Sequence, residues 1–88
     1  MDEKILERYL KSLANRRRLA ILRVLRSRKL ASVGQIAEDI QLSLKATSKH
    51  LIIMYAVGIV EKEQQSLTVN YRLAASLVEP VRTTLSLL

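Results

Sequence analysis

Residues 42–60 read LSLKATSKHLIIMYAVGIV, and this stretch decides the fold of the chain. Ser43 is a suitable N-cap, because its hydroxyl can accept from the free N–H groups of a first helical turn. No Gly or Pro follows before Gly58, so the pattern predicts one helix over residues 44–55. One face of this helix carries Thr47, Leu51 and Met54, and the opposite face carries Lys45, Ser48, Lys49 and Ile52. The first face can be buried while the second meets a polar partner.

After Gly58 the sequence is rich in residues that favour β-structure. Gly58 itself can supply the left-handed residue that ends a helix. Residues 59–64 and 68–73 can pair as a hairpin over Gln65, Ser66 and Leu67, although this turn lacks the Gly or Asp-Gly that usually marks one. We therefore expect a two-stranded hairpin directly after the helix.

Three further helices are predicted before this stretch, over residues 2–12, 16–28 and 33–39. Asn15 is expected to cap the second helix, and Ser32 with Gln35 forms a capping box for the third. The third helix is expected to bury Ile36, Ala37 and Ile40. The first helix has an apolar stripe at helical spacing, formed by Ile5, Leu6, Tyr9, Leu10 and Leu13.

A last helix is predicted within residues 75–88. It begins either with a capping box from Ser76 to Glu79 or at Pro80, which is tolerated in a first turn but not in a helix interior. Its apolar positions are Leu77, Val78, Val81, Leu85 and Leu88. A three-helix core cannot fully cover the stripes of both the first and the last helix, so both stripes need a partner.

Four successive segments of the chain match the pattern of one known family. Residues 42–60 match L-S-x-x-x-x-S-x-H-L followed by G-L-V, which appears here as Gly58, Ile59 and Val60. LKSLANRRRLAILRVL at residues 10–25 matches L-x-x-L-A-(D/N)-x-x-R-x-x-I-L-x-x-L. SVGQIAEDI at residues 32–40 is similar to the first helix of a helix-turn-helix, and NYRL at residues 70–73 to the strand that returns from a wing. Together these segments resemble the ArsR family of winged-helix repressors.

The resemblance implies a mainly α fold with a small β-hairpin. It is a winged helix-turn-helix of about five helices plus a two-stranded wing, built as one domain over residues 1–88. The helix-turn-helix lies at residues 32–55, the wing at residues 59–73, and dimerisation helices at residues 1–13 and 75–88. The sequence departs from the family at two points: the wing lacks the usual Gly, and Leu44 occupies a position that is often polar and base-reading.

The composition excludes several classes of protein. The chain has 88 residues, enough for one domain near the lower end of what forms a stable core. It has no cysteine and one histidine, so we expect no disulfide, no metal site, no cofactor and no catalytic centre, although metal sensing is the best-known activity of the family. No apolar run approaches a membrane span, and the N-terminus is acidic. We expect a cytoplasmic, nucleoid-associated protein of a prokaryote.

The net charge of +7 is concentrated at one end of the chain. Residues 1–30 hold ten Lys and Arg against three acids, whereas residues 31–88 hold five against five. A basic surface gains affinity for polyanions by releasing condensed counterions, so nucleic acid is the default partner and an acidic membrane surface the second. A merely solubilising face is the alternative. Beside a helix-turn-helix, DNA is the better interpretation.

The resemblance places the predicted helix over residues 44–55 in the DNA major groove. Lysine can donate to guanine O6 and N7 or to phosphate, and a serine hydroxyl can bond a base edge or a phosphate. Lys45, Ser48 and Lys49 are therefore the proposed groove contacts, with His50 as a secondary contact. Leu44 and Ile52 either contact thymine methyl groups or pack against a neighbouring side chain.

Further cations flank this helix. Arg16 and Arg17 lie at a helix N-terminus, where free N–H groups favour phosphate although the dipole disfavours cations. Arg18 either joins them or pairs internally with an acid such as Glu38 or Asp39. In the wing, Lys62 and Arg72 can reach phosphate or the minor groove, while Glu61 and Glu63 would repel it.

Six apolar residues on the terminal helices are the predicted homodimer interface: Ile5, Leu6, Tyr9, Leu77, Val81 and Leu85. Our leading hypothesis is a dimeric, sequence-specific transcriptional regulator in the family's role of repressor, which binds double-stranded DNA and has no membrane partner. A winged-helix module that binds another protein is the first alternative. A sequence-indifferent architectural DNA-binding protein is the second.

Overall fold

Five helices and three short strands make up the computed structural model, which describes all 88 residues. In chain order they are α1 Glu3–Leu13, α2 Arg16–Arg28, β1 Ala31–Ser32, α3 Val33–Ile40, α4 Leu44–Ala56, β2 Val60–Gln65, β3 Thr68–Leu73 and α5 Glu79–Ser86. The predicted helices α1 to α4 are confirmed, and their ends differ from the prediction by at most one residue. None of the five helices combines the length and the apolar character needed to cross a membrane.

The helix starts follow from local side chains that satisfy free N–H groups. Asn15 Oδ1 accepts from the amides of Arg17 and Arg18 at 2.9 and 3.1 Å. Ser32 and Gln35 form the predicted reciprocal capping box. Ser43 Oγ accepts from the Ala46 amide at 3.1 Å. All three predicted N-caps are thus confirmed.

The sheet has three strands rather than the two expected. The order is β1-β3-β2, and both pairings are antiparallel. The added strand β1 is only two residues long and pairs Ala31 with Tyr71, both of them buried. A strand this short has no periodicity to read, so sequence patterning does not reveal it.

The wing turn is tighter than predicted. The pairing of β2 with β3 extends to Gln65 opposite Thr68, which leaves Ser66 and Leu67 as the turn. Ser66 has a φ of 60°, the left-handed conformation that a glycine usually supplies in such turns. A serine in this conformation closes the wing without the glycine that the family usually has.

The core lies where α2, α3 and α4 pack on the sheet. Its fully buried side chains include Ile21, Leu22, Leu25, Ile36, Leu51, Met54, Ile59 and Val60. The predicted inner face of α4 is confirmed, since Thr47, Leu51 and Met54 are each 0% exposed. This burial fixes the rotation of α4 about its axis and turns the opposite face outward.

Helix α5 is shorter than the predicted span of residues 75–88. The Ser76 to Glu79 capping box does not form; Val78 occupies the N-cap position without a side-chain hydrogen bond, and Pro80 lies in the first turn. A helix begun at Ser76 would place Pro80 in its interior, where its ring clashes with the preceding turn. The start near Pro80, the second expectation, is therefore the correct one.

Candidate nucleic-acid interface

The helix-turn-helix is formed by α3 and α4 across the short link of residues 41–43. Gln41 has the left-handed φ of 56°, and its amide and that of Leu42 bond back to carbonyls of α3 at 3.2 and 3.0 Å. Ser43 then starts α4 in a new direction. Because these bonds satisfy the end of α3, the angle between the two helices is set locally.

The outward face of α4 combines free cations with exposed apolar side chains. Lys45 and Lys49, one turn apart, are both exposed and form no ion pair within the chain. Leu44 and Ile52 are 59% and 63% exposed, and Ser48 is half-buried beside them. This face presents positive charge that nothing in the protein neutralises.

Arg18 and His50 join the start of α2 to α4. Arg18 Nη1 lies 3.2 Å from His50 Nδ1, and its Nε and Nη2 donate to the carbonyls of Ser12 and Lys11 at 2.5 and 3.3 Å. An arginine only donates, so His50 Nδ1 accepts and the ring proton is on Nε2. Burial, and then the charges of Arg18 and Arg17, lower the pKa of His50, which favours this neutral form.

The predicted acid partner of Arg18 is wrong. Arg18 bonds carbonyls and His50 rather than Glu38 or Asp39. Asp39 pairs instead with Arg28, whose Nε and Nη2 donate to it at 2.6 and 3.1 Å and tie the end of α2 to α3. The hydrogen bond from Arg28 is the main reason that the pKa of Asp39 is lowered.

The N-terminus of α2 offers less to a phosphate than its position implies. Arg16 is exposed and Arg17 half-buried. The amides of Arg17 and Arg18, however, already donate to Asn15 Oδ1. Asn15 thus takes up two of the N–H groups that were expected to favour phosphate, and the side chains of Arg16 and Arg17 remain as donors.

The two cations of the wing are both engaged within the chain. Lys62 Nζ lies 4.3 Å from the centre of the Tyr55 ring, a cation–π contact between β2 and α4. Arg72 is paired with Glu61 at 3.3 Å and with Glu63 at 3.4 Å. The wing tip carries no cation, and Leu67 there is 98% exposed. Lys62 thus stays close to α4, whereas Arg72 is directed to the acids of the wing.

The apolar side chains predicted to form the homodimer interface are less exposed on the terminal helices than expected. Ile5 and Leu6 are 42% and 37% exposed, but Tyr9, Leu77 and Leu85 are half-buried against the core. Val81 is 0% exposed, so the expectation that the apolar stripe of the last helix needs a partner is wrong for this residue. Val81 belongs to the buried core cluster, and the periodicity of the sequence does not reveal the tertiary contacts that bury it.

Sequence reasoning missed one member of this apolar surface. Leu10 is 50% exposed, and with Met1, Leu6 and Pro80 it borders a hollow of about 480 Å³ between α1 and α5. The helical spacing had placed Leu10 in the α1 stripe, and that spacing was the available signal. The apolar surface left open by the monomer is centred on Ile5, Leu6 and Leu10.

The helix-turn-helix, followed by the β2–β3 hairpin of a three-stranded sheet, defines the chain as a winged helix-turn-helix domain. Comparison with known proteins gives the family. The family described as "Bacterial regulatory protein, arsR family" matches residues 15–62, and the chain belongs to this family.

The relatives share the fold, but they include both an activator and a repressor of transcription. The transcriptional activator HlyU of Vibrio cholerae is 39% identical over 70 residues, which cover 80% of this chain but only 64% of HlyU. The structure of reduced HlyU superposes with a TM-score of 0.81 at 32% identity, covering 96% of this chain and 84% of that one.

Two further solved structures are similar. The homodimeric winged helix-turn-helix DNA-binding domain of Mb0332 from Mycobacterium bovis has a TM-score of 0.79 at 31% identity, covering 96% and 74% of the two chains. The transcriptional repressor PagR of Bacillus anthracis has a TM-score of 0.79 at 25% identity, covering 96% and 92%.

Proposed function

We propose that the protein is a sequence-specific DNA-binding transcriptional regulator that places α4 in the major groove. The observation that carries this proposal is the outward face of α4, where Lys45 and Lys49 are exposed and unpaired. The burial of Leu51 and Met54 holds that face in a fixed orientation. Recognition of base edges requires hydrogen-bond donors held in a fixed orientation, since a bidentate contact fixes both distance and angle.

The flanking residues have supporting roles in this arrangement. Ser48 bonds a base edge or a phosphate, and the Nε2–H of His50 serves as a neutral donor to phosphate. Arg16, Arg17 and Lys62 add phosphate contacts beside the groove. Leu44 and Ile52, exposed on the same face, are suited to thymine methyl groups.

A homodimer completes the proposed mechanism. Ile5, Leu6 and Leu10 form exposed apolar surface beside the hollow between α1 and α5. Burying a large apolar side chain contributes roughly 1.5–3 kcal/mol, so pairing these surfaces is favoured. A two-fold pair sets its recognition helices about 34 Å apart, one turn of duplex. The homodimeric state of the Mb0332 domain supports this assembly.

We propose that the protein represses transcription rather than activating it. We also propose that it acts at the nucleoid, in the cytoplasm of a prokaryote. PagR is a repressor of similar fold, and HlyU is an activator. A pair of recognition helices bound across a promoter excludes polymerase from it. A reporter driven by the bound promoter should rise when the gene is deleted; a fall would assign activation.

The test of function is a selection of genomic fragments by the purified protein, followed by competition against bulk DNA. A specific regulator prefers its site by about a thousandfold or more, and its affinity falls steeply with salt. Binding without preference for any fragment would show an architectural protein. No binding to DNA at low salt would show a module that binds another protein.

A further inference from the structure

A basic cavity lies where α2, β3 and the segment that leads into α5 meet. Its volume of about 560 Å³ is within the range of about 300–1,000 Å³ typical of small-molecule sites. Its apolar wall is formed by Leu25, Leu73, Leu77 and Leu85. It is separate from the outward face of α4, none of whose residues line it.

Four cations border this cavity and no carboxylate does. They are Arg26, Lys29, Arg72 and Arg82, from α2, the turn after it, β3 and α5. Side chains from separate elements that converge on one hollow create a positive potential inside it, and low-dielectric walls strengthen that potential. Apolar walls with a cationic rim match a ligand that is itself divided into an anionic head and an apolar body.

The cations keep donors for such a ligand. Arg26 Nη1 donates to the Leu85 carbonyl at 2.9 Å, which leaves most of its five N–H groups available. Lys29 is exposed and forms no ion pair within the chain. Arg72 and Arg82 are balanced by Glu61, Glu63 and Glu79, none of which borders the cavity. Arg26 and Lys29 are thus the primary anion contacts.

We infer that this cavity binds a small amphipathic organic anion, with its carboxylate on Arg26 and Lys29 and its apolar body against Leu73, Leu77 and Leu85. A DNA backbone is disfavoured as the occupant, because it offers no apolar body to cover the leucines. The inference does not depend on DNA binding by α4.

A ligand bound in this cavity would affect contacts of both the wing and α5. Arg26 holds the Leu85 carbonyl of α5, and Arg72 holds the two acids of the wing. A carboxylate on Arg26 therefore lies beside the contact with α5, and its charge acts on Arg72, which borders the same cavity. The ligand is therefore placed to act as an effector, even in a chain without cysteine.

The experiment titrates the 88-residue chain with octanoate and follows the leucine methyl signals by NMR. We expect saturable shifts confined to Leu73, Leu77 and Leu85, and binding at least about tenfold weaker for uncharged octanamide. Inorganic phosphate should also bind about tenfold more weakly, because it leaves the leucines uncovered. Equal binding of octanamide, or shifts confined to Leu6 and Leu10 on α1, would overturn the assignment.

Variants on α2 and the turn after it locate the head group. Lys29→Gln should weaken octanoate about threefold, and Arg26→Gln about tenfold, whereas Arg23→Gln, one turn earlier on α2 and outside the cavity, should leave binding unchanged. Lys29 is exposed, so its variant tests the site even if Arg26→Gln unfolds the protein. Unchanged affinity in Lys29→Gln, or in a folded Arg26→Gln, would overturn the site. Displacement of octanoate by duplex of unrelated sequence would assign it to DNA instead.

Discussion

The outward face of α4 and the wing are neighbouring regions with two cations each, but only the cations of α4 are without a partner in the chain. Lys45 and Lys49 are unpaired, whereas Arg72 is held by Glu61 and Glu63, and Lys62 lies over Tyr55. Counting Lys and Arg along the chain would give the two regions equal weight. The difference shows that the availability of a cation, rather than its presence, decides where a polyanion gains affinity.

The same contrast assigns different tasks to the two regions. The wing cations serve structure first, because Lys62 joins β2 to α4 and Arg72 ties β3 to β2. The α4 lysines contribute nothing to the fold that the structure records, so their removal should affect binding alone. Each region can therefore be tested by substitutions that leave the other intact.

The largest expected effect is the loss of the α4 lysines. Lys45→Ala with Lys49→Ala should weaken operator binding by about a hundredfold or more at moderate salt, because each discriminating base contact is worth roughly 1–3 kcal/mol. If both lysines contact phosphate instead, the slope of log affinity against log salt should fall by about two. Fluorescence anisotropy with labelled duplex measures both quantities.

The matched control for this double variant is Lys4→Ala with Arg23→Ala. It removes the same charge from exposed positions on α1 and α2. Affinity retained by the α4 variant would show that these lysines do not contact DNA. An equal loss in the control would show that net charge alone drives binding.

The second-largest effect is expected from loss of the homodimer, because the dimer presents two α4 faces to one operator. Leu6→Glu puts a charge into the exposed apolar surface of α1, where Leu6 is 37% exposed, so folding should be preserved. Light scattering should show a mass that falls from dimer to monomer, with operator binding at least tenfold weaker. Wild-type protein that is monomeric at micromolar concentration would contradict the dimeric mechanism. Leu67→Glu, at the wing tip, adds the same charge away from α1 and is the control for the mass, which should remain that of the dimer.

Local features of the sequence were sufficient to predict α4. Ser43, the Thr47, Leu51 and Met54 spacing and Gly58 act within a few residues of one another, and the helix that they predict is confirmed. The strand β1, the burial of Val81 and the partners of Arg18 were not predicted. Each depends on residues far away in the chain, such as Tyr71 for Ala31 and His50 for Arg18. Periodicity and capping carry no information about such contacts.

A smaller effect is expected from variants that give the wing an unpaired cation, as α4 already has. Glu61→Gln with Glu63→Gln releases Arg72 from both ion pairs and removes two charges that repel phosphate. Operator affinity should rise about threefold to tenfold at low salt, and the salt slope should steepen by up to about one. Glu3→Gln with Glu7→Gln on α1 makes the same change in net charge, and an equal gain there would show that Arg72 is not involved.

The smallest effect is the pH dependence of the contact that joins α2 to α4. Burial and the charges of Arg18 and Arg17 lower the pKa of His50, so folding favours the neutral ring. This stabilisation is fully present above the unfolded pKa of about 6.5 and is lost as the pH falls through the lowered folded pKa. Urea unfolding should show wild-type protein losing about 0.5–1 kcal/mol between pH 8 and pH 5.5, the scale of one hydrogen bond.

The variant His50→Gln isolates this loss from other titrations. Glutamine has no proton to gain in this range, and its amide oxygen can still accept from Arg18, so its unfolding free energy should stay level from pH 8 to pH 5.5. The carboxyls of Asp39 and Glu79 have lowered pKa values and remain ionised throughout. The free-energy difference between the two proteins should therefore narrow or reverse as the pH falls. An equal loss in both would assign it to another group, and a wild-type protein more stable at pH 5.5 would mean that folding favours charged His50.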